Sequence, residues 1–170
     1  GTGQLRAGAG TSRLFVSARL AGSENETTFP SLASAIVSDI SPDGTMLLLT
    51  EILGPGSSSN RPILFLRSPK PLTLGEGRSP QFSADGRHIA WIQKREREDE
   101  IAIDPVGTGV PQRVRMKDRC SSLEWIPGSH RLLVNVVADS GTKSQILDLA
   151  TGRLTPAPAR SISRVAANGW

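Results

Sequence analysis

The run Arg78-Ser79-Pro80-Gln81-Phe82-Ser83-Ala84-Asp85-Gly86-Arg87-His88-Ile89-Ala90-Trp91-Ile92 decides how the chain is read. A short strand-like segment anchored on Phe82 ends in a four-residue turn, and a second apolar segment starts at once. The same arrangement occurs earlier as Ile36-Val37-Ser38-Asp39-Ile40-Ser41-Pro42-Asp43-Gly44 and later as Ser121-Ser122-Leu123-Glu124-Trp125-Ile126-Pro127-Gly128-Ser129. The anchors Ile40, Phe82 and Trp125 lie 42 and 43 residues apart. A fixed spacing of this size is the mark of a repeat built from one supersecondary unit.

Each copy continues alike. The second apolar run is Met46–Leu49, Ile89–Ile92 and Leu132–Val137 in turn. After a polar loop comes a third run, at Ile63–Leu66, Ile101–Ile103 and Ile146–Leu149. A weaker fourth closes the unit at Leu72–Leu74, Arg113–Arg115 and Arg153–Thr155. These runs are short and bounded by Gly, Pro, Asp and Ser, so they predict strands, and no segment has sustained helical periodicity. Ser41-Pro42-Asp43-Gly44 has tight-turn chemistry: proline presets φ, aspartate tolerates the next position, and glycine accepts the left-handed conformation that follows. Ser83-Ala84-Asp85-Gly86 repeats it without the proline, while Ile126-Pro127-Gly128-Ser129 keeps a turn but loses the aspartate.

A four-stranded antiparallel sheet recurring every ~40–45 residues reads as a β-propeller blade, because one twisted sheet cannot cover both its faces alone. The fold class is therefore all-β. The pattern of an apolar residue, Ser-Pro-Asp-Gly, apolar strand, polar loop, apolar strand, Asp-x-x-Gly and Leu-Thr resembles the WD-like blades of the TolB-type propellers of bacteria. Phe82–Ile103 and Ile40–Leu74 carry the resemblance best, and it covers about residues 33–160. The Trp-Asp and Gly-His dipeptides of eukaryotic WD repeats are absent.

The units expected are a partial blade of outer strands with a Gly-rich start over 1–32, blades over 33–75, 76–117 and 118–160, and the first strand of a further blade over 161–170. Closed propellers need about four to eight blades. Two arrangements fit: a small ring closed by the terminal halves, or part of a larger propeller, and the exposed edges of an unclosed array favour the second. The chain opens with Gly1 and has no charged-then-apolar leader pattern in its first thirty residues, as expected of a processed or excised segment.

Composition narrows the function. There are 20 Lys and Arg against 16 Asp and Glu, a formal charge of +4, yet the basic residues are scattered and aromatics make up only 4% of the chain. That argues against nucleic acid, which needs a clustered basic surface or stacking platforms. No apolar run approaches the ~18 residues of a membrane-spanning helix. One Cys cannot form an intrachain disulfide, and one Cys with two His cannot build a thiolate–imidazole zinc site. No Gly-x-Ser-x-Gly occurs, Gly54–Asn60 lacks the Gly-Lys-Ser/Thr that holds phosphate, and Asp43 and Asp85 have no companion carboxylates for calcium. No catalytic residue, cofactor or metal is expected.

The remaining candidate is a surface. Lys94-Arg95-Glu96-Arg97-Glu98-Asp99-Glu100 falls between the second and third strands of the middle copy, where a solvated loop tip is the plain reading. In a propeller that loop shares a face with the connections between blades. Arg61, Arg95, Arg97, Lys117, Arg119 and Lys143 then form a possible partner-binding face for an acidic protein partner. The resemblance implies a non-enzymatic interaction scaffold or sensor module, and an extracytoplasmic or periplasmic location. It equally admits the substrate-gating propeller of a prolyl oligopeptidase-like peptidase whose catalytic domain lies outside this chain. A fragment would also have the remaining blades of its parent propeller as partners. Cys120, beside Arg119, is expected to be a buried structural residue, and Trp91 and Trp125 are expected to pack between blades, which argues against a sugar platform.

Overall fold

The computed structural model describes residues 9–10, 13–14, 16–18, 24, 27–29, 35–52, 60–66, 72–95, 98–139 and 141–158. Among the described residues there are strands and no helix. Two small pairs come first, β1 (Ala9–Gly10) with β2 (Arg13–Leu14), and β3 (Val16–Ala18) with β4 (Thr27–Phe29). Three four-stranded antiparallel sheets follow, each in simple chain order. The first holds β5 (Ala35–Ile40), β6 (Met46–Ile52), β7 (Asn60–Leu66) and β8 (Leu72–Thr73). The second holds β9 (Arg78–Phe82), β10 (His88–Lys94), β11 (Asp99–Pro105) and β12 (Gln112–Arg115). The third holds β13 (Arg119–Trp125), β14 (Arg131–Ala138), β15 (Gly141–Asp148) and β16 (Arg153–Pro156). The expected all-β architecture of four-stranded antiparallel units is thus what forms.

The side-chain alternation of a strand explains how the sheets stack. On β10, Ile89 and Trp91 join Leu48, Phe82 and Ala102 in one core cluster, with Met46 and Leu74 packed against it. Ala90 and Ile92 point the other way, into a cluster with Ile101, Ile103, Leu123, Leu132, Val134 and Leu147. The second sheet is therefore buried on both faces, against the first sheet on one side and the third on the other. Trp91 is fully buried, and Trp125 donates its indole N–H to the Gln81 carbonyl at 3.3 Å. Both tryptophans sit between blades.

The hairpins between first and second strands show the turn chemistry in full. Gly44 donates to the Ser41 carbonyl at 2.8 Å and Gly86 to that of Ser83 at 2.8 Å. Both glycines have φ of 68°, the left-handed region that a side chain disfavours. The Ser83 hydroxyl donates to Asp85 Oδ1 at 2.6 Å and accepts the His88 N–H at 2.9 Å, while Asp85 Oδ1 also accepts the Arg87 N–H at 3.0 Å. Ser41 and Asp43 repeat this cage around Thr45 and Met46. In the third copy Ser129 donates to Ile126 at 3.2 Å, but the left-handed residue is now Gly128, with φ of 67°. Proline followed by a positive-φ glycine is the pattern of a type II turn. The loop keeps its length, and the serine–aspartate cage is replaced by backbone geometry.

Gly77, in the link between the first and second blades, is needed for a different reason. A Cβ there would collide with the Ile92 carbonyl oxygen and approach Trp91 Cδ1 to 2.6 Å. Gly77→Ala should therefore cost about 1–3 kcal/mol through forced repacking, and Gly86→Val should cost about 1 kcal/mol or more through φ strain. Thermal melting checks both; a melting temperature unchanged by either substitution would contradict the packing described for that site.

A pH effect follows from Asp85. Its hydrogen bonds, first from the Ser83 hydroxyl and then from the Arg87 N–H, hold the carboxyl below its ordinary range. A depressed carboxylate adds stability above its unfolded pKa of about 4, and this is lost as acid protonates the folded form. Asp85→Asn should lower the urea midpoint at neutral pH and make little difference at about pH 2, so a loss of equal size at both would count against the cage.

Candidate partner-binding face

Strand order places the candidate cations. With antiparallel strands in sequence order, the loops joining second to third strands and the links leaving each fourth strand collect at one end of the blades. Arg95 follows β10, and Lys117 lies in the link between β12 and β13. Arg119 opens β13 opposite Val137, and Lys143 is near the start of β15 opposite Val136. Arg61 stands on β7 opposite Glu51, toward the same end. Arg97 lies outside the described residues.

These residues are not equivalent. Arg95 is held by an ion pair of 3.1 Å to Glu100, whose carboxyl is buried. It is therefore part of the loop's own structure. Lys117, Arg119 and Lys143 are exposed and make no ion pair with another described residue. Glu98 and Asp139 are exposed at the same end and Asp118 is half-buried, so the field is mixed.

Beneath this end lies a polar knot for which the sequence carries no local signal. The Asp99 carboxylate, 5% exposed, accepts from Arg78 Nη2 at 2.8 Å and from the Cys120 N–H at 2.8 Å. Arg78 Nη2 also donates to the Cys120 carbonyl oxygen. The Met116 N–H donates to the Asp99 carbonyl at 2.9 Å. One carboxylate on β11 thus binds β9 of its own blade to β13 of the next. At the preceding interface Asp39 Oδ2 accepts the Phe82 N–H at 2.7 Å. Burial raises the Asp39 pKa, opposed by its hydrogen bonds from Phe82 and Ile40.

Other reactive side chains are occupied structurally. The Cys120 thiol is buried and pushed up to about 12, first by loss of solvent and then by the nearby Asp99 charge. The Arg78 charge acts in the opposite direction and does not offset them. His88 is half-buried with its ring 6.5 Å from that of Trp125, and His130 is exposed in its turn. Among the described residues no group of three or more His, Cys, Asp or Glu is placed to hold a metal ion.

No family model and no curated protein sequence matches the chain. Solved structures do. TolB of Acinetobacter baumannii superposes with a TM-score of 0.62 at 14% identity, over 89% of this chain and 39% of that one. A protein assigned as TolB from Agrobacterium tumefaciens gives 0.61 at 14% identity, over 86% of this chain and 57% of that one. The β-propeller domain of the trilobed protease of Pyrococcus furiosus gives 0.58 at 21% identity, covering 74% and 44%. This chain thus spans 57% and 39% of the two TolB structures. At these identities the likeness establishes the fold, and the chain is a β-propeller module.

Removing the Asp99 carboxylate leaves Arg78 without its ion partner and the Cys120 N–H without an acceptor. Asp99→Ala should cost about 3 kcal/mol, the low end of the ~3–5 kcal/mol for breaking buried pairs, because Arg78 is partly solvated. Asp99→Asn, which keeps an acceptor, should cost less. Urea midpoints check the order, and equal losses for both variants would show that the acceptor at Cys120 contributes nothing.

Proposed function

We propose that this propeller module is non-enzymatic and acts as a protein-interaction scaffold, with the end of the blades carrying Lys117, Arg119 and Lys143 as its docking face. The observation that carries this reading is that these three cations are exposed and make no ion pair with another described residue, while Arg78 and Arg95 are engaged in ion pairs. A partner suited to the face is a protein presenting carboxylates. Interleaved Asp118, Asp139 and Glu98 blunt the field, so charge acts on encounter more than on final affinity. Periplasmic placement is the compartment that the TolB likeness suggests.

A second reading has its own support in the likeness to the trilobed protease propeller. Here the module would gate access to a hydrolase domain elsewhere in the parent protein. No Gly-x-Ser-x-Gly occurs in the present sequence, so the nucleophile would belong to that domain. Labelling of the full-length protein by a fluorophosphonate would favour this reading over the scaffold.

The scaffold reading makes a charge-dependent prediction. Partner recovery from the source organism by the immobilised chain should fall as salt rises from about 50 to 300 mM, since exposed charges are screened over about 8–10 Å at physiological ionic strength. Lys117→Glu/Arg119→Glu/Lys143→Glu should reduce recovery at low salt, mainly by slowing association. Identical recovery by the two proteins would show that this end is solvated surface only.

A further inference from the structure

We infer that the outer edge of the second blade, strand β12, takes up an extended acidic segment of a protein partner, which adds to the sheet as a further strand and sets its carboxylates against Arg113 and Arg115. The site lies on the rim of the blades and does not depend on the docking end proposed above.

Hydrogen-bond phase decides what the edge offers. β12 is the last strand of its sheet, and among the described residues no strand pairs with its outer side. In an antiparallel pair, opposed residues alternate between those that bond to each other and those whose N–H and C=O both point away. Met116 stands opposite Asp99 in the β11–β12 register and donates to its carbonyl at 2.9 Å. Gln112 and Val114 are therefore in phase to bond to β11, and Arg113 and Arg115 turn their backbone groups outward. The third blade has the same phase, since Ala157 donates to the opposed Ser144 carbonyl at 2.9 Å, and this turns Leu154 and Pro156 outward. Proline has no N–H to offer, so that edge is closed to an added strand. In the first blade β8 is only two residues long. Of the three edges, that of the second blade alone combines four residues with outward donors.

The side chains select the occupant. Arg113 and Arg115, two apart, share one face of the strand. The Arg113 guanidinium lies over the buried Trp91 ring, 5.3 Å from its centroid, and its Nη1 donates to the Asp104 carboxylate and, at 2.8 Å, to the Gln112 carbonyl. Its Nε and Nη2 make no hydrogen bond to a described residue, so the group is held in place with donors to spare. Asp104 neutralises its charge. Arg115 is exposed, and the carboxylate opposite it, Glu100, is already engaged by Arg95 at 3.1 Å. A fixed donor and an uncompensated positive charge thus stand at the spacing of alternate side chains on an incoming strand, the arrangement that gives strand addition its specificity. A second copy pairing through the same edge would set arginine against arginine, which cross-strand repulsion disfavours.

Amide NMR of the full chain, titrated with an end-blocked peptide that alternates glutamate and threonine, tests this. The Arg113 and Arg115 amide signals should move together as peptide is added. Glutamine in place of glutamate in the peptide should weaken binding about tenfold, as expected for lost hydrogen bonds to a charged acceptor. Arg115→Gln should weaken it by up to about fivefold, the range of an exposed ion pair. Arg115→Pro, which copies the closed edge of the third blade, should weaken it at least about tenfold and melt near Arg115→Gln. Lys143→Glu, at the docking end, should leave it unchanged. Unmoved Arg113 and Arg115 signals at millimolar peptide would overturn the inference. So would equal binding of the glutamine peptide, equal affinity of the Arg115→Pro and Arg115→Gln variants, or shifts confined to Lys117, Arg119 and Lys143, which would assign the peptide to the docking end. Movement of the β12 signals on raising protein concentration alone would make the occupant a second copy and overturn it as well.

Discussion

The structure depends on one constraint: a four-stranded sheet with apolar residues on both faces cannot stand alone in water. β10 shows it most plainly. Ile89 and Trp91 project to one side, Ala90 and Ile92 to the other, and all four are 0% exposed. Burying a side chain of this size stabilises by about 1.5–3 kcal/mol, but only if a neighbouring sheet supplies the opposing wall. Stability is therefore shared between successive blades, and the turns, links and polar knots work as devices for keeping them in register.

That division explains what the sequence disclosed. Repeat spacing, strand order and the Ser-x-Asp-Gly hairpins are local features, and each leaves a mark within a dozen residues. The second-blade turn could be assigned from Ser83, Asp85 and Gly86 because its hydrogen bonds close inside the turn. The relation among Arg78, Asp99 and Cys120 could not, because the carboxylate is 21 residues from each of its two partners and each residue type is common in solvated loops. Asp99 read as one more charge in a mixed run, whereas it is the buried member of the set. Gly77 was equally silent, since its requirement is set by the Ile92 carbonyl and the Trp91 ring across the sheet.

The candidate face was legible in outline for a topological reason. Any chain of antiparallel strands in sequence order gathers alternate connections at one end, so residues in those connections share a surface before any side chain is placed. Topology does not say which cations are already engaged. Arg95 and Lys117 look alike in sequence, yet one neutralises Glu100 and the other is turned to solvent. The difference comes from the β10–β11 hairpin, where Lys94 pairs with Asp99 and the Arg95 N–H donates to the Glu98 carbonyl at 3.0 Å, which sets Arg95 beside Glu100.

Cys120 gives the fold an internal gauge of its own motion. Its sulfur lies in the core shared by the second and third blades, and its proton is held so firmly that the nucleophilic thiolate is scarce in the closed protein. Thiol chemistry at this position therefore passes through an opened state in which those two blades part. The rate at which a small electrophile reaches Cys120 then reports the free energy of local opening at one interface, separately from the global unfolding of the chain.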